Sequence, residues 1–250
     1  MKTKVGDLHK NKTGREFEVI EVISSKKVKV KFLESGYEVW GKAENLRKGL
    51  VKDRLSGTIY GVGSFGEKLE NVQGTPSGGK WYNMLSRCYR KGDVSFDNYG
   101  GRGVSVCEEW KIYTNFLEWY NKYSYKEDDW ILDKDILVEN NLEYSPSTCC
   151  LVPHEINLMF KRPSKNTKKG VSVDERLTYE GARKYYSNSL GREKFGGRVY
   201  FLTREEAEEH YLQKRRDWFV YRANKWKGII TDEVYNAIIL YAENLVIEEA

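Results

Sequence analysis

The chain has 250 residues, 32% of them charged, a mean hydropathy of −0.69 and a net charge of +5. No apolar run reaches the roughly 20 residues of a membrane span, and the Met1-Lys-Thr-Lys4 start has no apolar signal core, so the sequence reads as a cytoplasmic protein with no membrane partner. The length allows one large domain or two to three small ones.

Charge is unevenly spread. Residues 1–53 carry 13 basic and 8 acidic side chains, residues 131–160 carry 1 and 5, and residues 161–200 carry 11 and 4. Two basic stretches flank an acidic centre, the pattern of a polyanion held at the flanks and a metal ion held between them. Solvated faces alone would also produce it.

The first stretch is rich in β-formers. Phe17–Ile23, Lys27–Leu33 and Tyr37–Gly41 read as three short strands with tight turns, a small SH3-like barrel over residues 1–66. In the second run Val28, Val30 and Phe32 alternate with Lys27, Lys29 and Lys31, so one face is core and the other is a lysine row. That row serves equally as a rail for phosphates or as protection of a sheet edge. Glycines from Gly49 to Gly66, then Gly74 to Gly79 with Pro76 and Ser77, read as loop, with 67–79 a linker.

A central module is expected over 80–165. Trp81, Met84, Leu85 and Cys88 have the spacing of one helix face. Tyr99-Gly-Gly-Arg-Gly-Val-Ser-Val-Cys107 surrounds Arg102 with glycine, which fits either a tight turn or a close approach to a nucleic-acid backbone by Arg102. Trp110, Phe116, Trp119 and Tyr120 read as core on a helical stretch. Ile131–Leu137 then reads as a strand, Tyr144–Pro153 as a return strand, and His154–Phe160 as the start of a helix. Asp133 and Asp135 on the first strand, with Asn157 on the helix, are candidate ligands for one hard cation beside a phosphate. Among the four cysteines there is no C-x-x-C pair. The chain therefore reads as holding reduced thiols, and a structural zinc site on Cys88, Cys107 and Cys149 has poor support.

The last module is expected over 166–250. Gly170–Asp174, Ala182–Ser187 and Arg198–Leu202 are strand-like, and Thr203-Arg-Glu-Glu206 is a capping box that opens a helix through Ala207 and Tyr211. Val234, Ile238, Tyr241 and Leu245 lie at helical spacing on a second helix that packs behind it or dimerises, packing being the preferred use. The fold class expected from these elements is α+β: a small N-terminal β-barrel, a central ββα module, and a C-terminal three-stranded sheet with helices.

The motifs Trp81-x-x-Met84-x-x-Arg87-Cys88, Tyr99-Gly-Gly-Arg-Gly-Val-x-Val-Cys-x-x-Trp110, Leu132-Asp-Lys-Asp135 and Tyr144-x-Pro-x-x-Cys149, with the helix that carries Asn157, resemble phage-borne HNH or homing-endonuclease-like proteins. The resemblance covers most of the chain. It implies a DNA endonuclease, a Mg²⁺ or Mn²⁺ cofactor and double-stranded DNA as partner. Asp133 matches the metal-binding acid, Asn157 the helix residue that completes the site, and Lys134 the position of the general base, where the family pattern has His. An ordinary lysine, pKa ~10.4, is protonated at neutral pH and accepts no proton. His154 is then either the replacement base or a surface residue at the helix start. The alternative is a protein that keeps the scaffold without cutting, and either binds DNA or interferes with the host, with a host protein as partner. The last module resembles the three-stranded DNA-binding domain of ethylene-response factors, whose sheet enters the major groove. That resemblance implies DNA contacts from Arg183, Lys184, Tyr186, Arg192, Lys194 and Arg198.

Overall fold

The computed structural model describes residues 2–66, 72–125, 130–160, 170–176, 184–188, 190 and 195–245. The elements in chain order are β1 (Leu8–Lys10), β2 (Glu16–Ser24), β3 (Lys27–Phe32), β4 (Glu38–Gly41), α1 (Ala43–Arg47), α2 (Pro76–Tyr89), β5 (Ser105–Val106), α3 (Tyr113–Tyr123), β6 (Ile131–Asp133), β7 (Glu143–Tyr144), β8 (Cys150–Val152), α4 (His154–Met159), β9 (Val171–Val173), β10 (Tyr185–Ser187), β11 (Val199–Phe201), α5 (Arg204–Lys225) and α6 (Asp232–Glu243). The class is mixed α and β, with several small sheets. Two compact units emerge: Met1–Tyr123 with Leu142–Ser147, and Ser124–Asn141 with Thr148–Ala250.

In the first unit, β1 to β4 form an antiparallel meander in chain order. The expected barrel is corrected here: among the described residues β1 and β4 are open edges with no pairing between them. Edge strands of three and four residues give too short a ladder to close, and α1 covers the core instead. Its Ala43 and Leu46 join Phe17, Val19, Val28, Val30 and Phe32 in one buried cluster. The period-2 pattern of β3 is realised, with all three of its apolar side chains fully buried.

The opposite face of that sheet is not a row of bare lysines. Lys31 pairs across the ladders with Glu18 and Glu38, and Lys29 with Glu21 and Trp40. Lys29 Nζ lies 2.7 Å from Glu38 Oε2, and Lys27 sits over the Trp40 ring at 5.0 Å. β3 is an interior strand, so the row protects no sheet edge as one expectation had it; the carboxylates opposite it on β2 and β4 make it part of the cross-strand pairing of the sheet.

The rest of the first unit is an aromatic core between α2 and α3. Trp81 is fully buried, its Nε1 donates to Trp110 O at 2.7 Å, and its ring meets that of Tyr113 edge-on. The helix begins earlier than the glycines imply. Thr75 caps it, accepting from Gly78 N at 3.0 Å, and Pro76 occupies the first turn. Gly78 is required by packing, since a Cβ there would lie 1.9 Å from Val72 O. So Pro76–Gly79, expected as linker, is helix. The glycine-rich motif forms a 3₁₀ turn, Gly100–Arg102, ending on Gly103 with φ +85°. Tyr144 is pulled out of the expected return strand: β7 runs parallel to β5, pairing Val106 with Tyr144.

The second unit has a ββα start and a three-stranded sheet backed by helices. β6 and β8 are antiparallel, with Asp133 opposite Cys150, and α4 follows directly. β9, β10 and β11 form an antiparallel meander with β10 in the middle. α5 lies across one face of this sheet. Ser187, fully buried, has its Oγ 2.9 Å from His210 Nδ1, and the Phe201 and His210 rings are 5.0 Å apart. Burial holds the His210 imidazole below its ordinary pKa. α6 returns along α5, where Phe219 and Tyr241 meet at 5.0 Å and Val234 and Ile238 are buried, the packing role expected for that helix.

The capping box is present in full: Thr203 Oγ1 accepts from Glu206 N at 3.2 Å, and Glu206 Oε2 accepts from Thr203 N at 3.3 Å. Thr203→Ala is expected to cost about 1 kcal/mol. Urea unfolding monitored by circular dichroism measures it, and an unchanged midpoint would show that the cap is idle.

Candidate nucleic-acid interface and the ββα unit

Strand alternation sorts the C-terminal sheet into two faces. Tyr185 and Ser187 take one side of β10, with Ser187 against α5. Tyr186 points to the other side, in register with Ser172 on β9 and Tyr200 on β11. The Tyr186 and Tyr200 rings are 5.2 Å apart, and the Arg198 guanidinium lies 4.7 Å over the Tyr186 ring. Lys184 shares the parity of Tyr186, and Arg198 that of Tyr200. The face away from α5 therefore gathers Lys184, Tyr186, Arg198 and Tyr200.

Of the six residues implied by the ethylene-response-factor resemblance, Lys184, Tyr186 and Arg198 thus come together on the face away from α5. Arg183, Arg192 and Lys194 lie outside the described residues. Arg102 is exposed on its 3₁₀ turn in the first unit.

Three residues of this face were not singled out from the sequence. Asp174, nearly buried at the end of β9, accepts from Arg176 Nε at 2.9 Å and from Arg176 Nη2 at 2.8 Å. Tyr200 Oη reaches across the sheet to Asp174 Oδ2 at 3.4 Å. The hydrogen bonds from Arg176 hold the Asp174 carboxyl down at about 2, despite the opposing effect of burial. The available signal was the D-x-R spacing at a strand end, which places a guanidinium beside a carboxylate.

The ββα unit is organised around Lys134. Its Nζ donates to Asp135 Oδ1 at 2.7 Å and to Asn141 O at 2.6 Å, and the residue is 9% exposed. Asn141 Nδ2 returns a bond to Lys134 O at 3.0 Å. Asp133 Oδ1 accepts from the backbone N–H groups of Asp135 and Ile136, at 2.7 and 2.9 Å. Asp133 is thus the acceptor that shapes the turn after β6. Burial raises its pKa, against those two bonds, and raises that of the neighbouring Cys150 thiol further.

These bonds bear on the expected ligand set. Asp133 and Asp135 each have an oxygen engaged, Asp135 by an ammonium. Asp135 is bonded to the Lys134 ammonium, and Asp133 to the backbone of the turn. Among the described residues no three His, Cys, Asp or Glu side chains are grouped to hold a metal. Asn157 is half-buried on α4, and His154 is exposed at the start of that helix.

The residue of α4 that sequence reasoning missed is Glu155. Its carboxylate accepts from Arg222, from Lys225 Nζ at 3.0 Å and from Trp226 Nε1. Burial pushes the Glu155 pKa up, but the bonds from Lys225 and Trp226 and the Arg222 charge outweigh it and hold the group below its ordinary value. Phe160, just past α4, packs on Phe219 and Tyr241 at 5.4 and 5.0 Å. Both links tie the ββα unit to the end of α5. Among the described residues, no helix is long and apolar enough to cross a membrane. Compared with family models, curated proteins and solved structures, the chain matches none.

Proposed function

We propose that the protein binds duplex DNA through the face of the β9–β11 sheet away from α5, and that its ββα unit is a structural support without catalytic turnover. The observation that carries this reading is the gathering of Lys184, Tyr186, Arg198 and Tyr200 on the sheet face away from α5. Cations there neutralise phosphates, and the tyrosines offer flat amphipathic surface for sugars and base edges. A three-stranded sheet backed by a long helix has the shape to enter a major groove. The role given to the ββα unit rests on Lys134, whose ammonium bonds an acid and a main-chain carbonyl where a nuclease of the resembled kind needs a proton acceptor.

Affinity for a labelled duplex is expected to fall steeply with salt, because bound cations release counterions from the DNA. Lys184→Ala with Arg198→Ala should weaken binding by about tenfold and reduce the salt slope by about two phosphates. Circular dichroism should be unchanged, since surface charge removals usually shift stability by less than ~0.5 kcal/mol. Absence of duplex binding at low salt would end the reading, and preference for single strands would replace it with a stacking platform.

The order of β6, β8 and α4 favours a second reading, a metal-dependent endonuclease with Mg²⁺ or Mn²⁺ held by Asp133, Asp135 and Asn157 and with His154 as base. Plasmid nicking by the intact protein with either cation, lost in Asp133→Ala while binding persists, would establish it.

A further inference from the structure

We propose that Arg176 reads guanine in the bound duplex, and that Asp174 and Tyr200 are the positioning residues that aim it. This rests on the duplex-binding reading above and concerns specificity within it.

The geometry is that of a side chain ordered in advance. Asp174 takes the side edge of the guanidinium, Nε and Nη2, at 2.9 and 2.8 Å. The Asp174 carboxylate is itself 10% exposed and fixed from above by Tyr200 Oη, whereas the Arg176 side chain is 83% exposed. A long exposed arginine normally loses rotamer freedom on binding. Here the fork has already removed much of it.

The hydrogens left over decide the ligand. With the side edge occupied, the outer N–H of Nη2 and the adjacent N–H of Nη1 point away from Asp174 in parallel. That end-on pair matches two neighbouring acceptors in one plane. In the major groove, the O6 and N7 of guanine present such a pair; adenine offers N7 beside a donor, and thymine a single O4 beside a methyl group.

Charge separates this residue from its neighbours. Arg176 and Asp174 together carry no net charge, so their pull on phosphates is weak and falls off within a short distance. Among the described residues, Lys184 and Arg198 stand on the same face without such a fork and supply the phosphate attraction. The face is thus divided between cations that give affinity and one guanidinium whose orientation gives discrimination.

The experiment selects binding sites from a randomised duplex pool with the full chain, then measures affinity for the selected site and for the same site with one guanine replaced. Wild type should prefer the guanine. Arg176→Ala should lose about tenfold to a hundredfold of that preference, and Arg176→Lys, which keeps donors but not the planar fork that Asp174 aims, a smaller part of it. Asp174→Asn should also lose preference, while its affinity for unselected duplex and its salt slope both rise, because the arginine charge is released. A merely structural role for Asp174 would lower both affinities together. Arg176→Lys keeps the charge at an exposed position and guards against misfolding as the explanation. Equal binding to all duplexes, or a guanine preference that survives Arg176→Ala, overturns the proposal and leaves duplex binding intact. No duplex binding at all overturns both.

Discussion

Glu155→Ala is expected to lower the stability of the second unit by about 3 kcal/mol. Glu155 accepts from Arg222, Lys225 and Trp226 at once. The Arg222 side chain is only 14% exposed, so truncating its partner leaves a largely buried guanidinium with a lost counter-charge, the costly way to break an ion pair. The indole N–H of Trp226 loses its acceptor in the same step. Glu155→Gln keeps the shape and one acceptor and should cost less. The pH dependence has a definite sign. The folded-state pKa of Glu155 lies below its unfolded value, so the unfolded chain takes up its proton first as pH falls. The contribution is complete above the unfolded value, ~4.3, and fades as pH drops through the lower folded value. Urea unfolding at neutral pH and near pH 3 measures both points: wild type should lose part of its advantage over Glu155→Ala in acid. A gap that is constant with pH would show that the carboxylate charge is irrelevant to the anchor.

Local signals were read from the sequence where neighbours in the chain suffice to fix them. The alternation in β3, the amphipathic face of α2 and the capping box of α5 each depend on residues within one or two turns, and all three form as the spacing dictates. What escaped was set by distant partners or by close contact. Whether the lysines of β3 stand free depends on which residues of β2 and β4 face them, a matter of register rather than of local sequence. Gly78 reads as a breaker until the carbonyl of Val72 is seen against it. β7 leaves the expected hairpin because a strand far earlier, β5, offers it a parallel partner. The Glu155 cluster joins side chains about 70 positions apart. For the candidate interface, the basic and aromatic residue types were legible in the sequence. Their common face is fixed by the pairing of three strands, and the ordering of Arg176 by a single carboxylate two residues before it.

Lys134→Ala is expected to destabilise the second unit by about 2–3 kcal/mol without lowering affinity for duplex DNA at temperatures where the variant is folded. The ammonium donates to Asp135 Oδ1 and Asn141 O from a position with almost no access to water, and bonds that involve a charged group contribute about 1.5–3 kcal/mol each. Its removal leaves the carbonyl of Asn141 short of a donor and opens a gap where the alkyl chain ran. The turn it closes contains Asp133, so amide hydrogen exchange across β6 and β8 should quicken in the variant ahead of the amides of α6. Lys134→His tests the chemistry of the same position. An imidazole is shorter than the lysine side chain and, when neutral, offers one donor instead of three. It is therefore expected to destabilise as alanine does and to produce no plasmid nicking with Mg²⁺ or Mn²⁺. Metal-dependent nicking gained by Lys134→His would mean that the acids of the ββα unit can be turned to a divalent ion once the ammonium is gone, and that lysine alone separates this site from a nuclease. Nicking by wild type that Lys134→Ala abolishes would mean that the ammonium works on the phosphate and not on the turn.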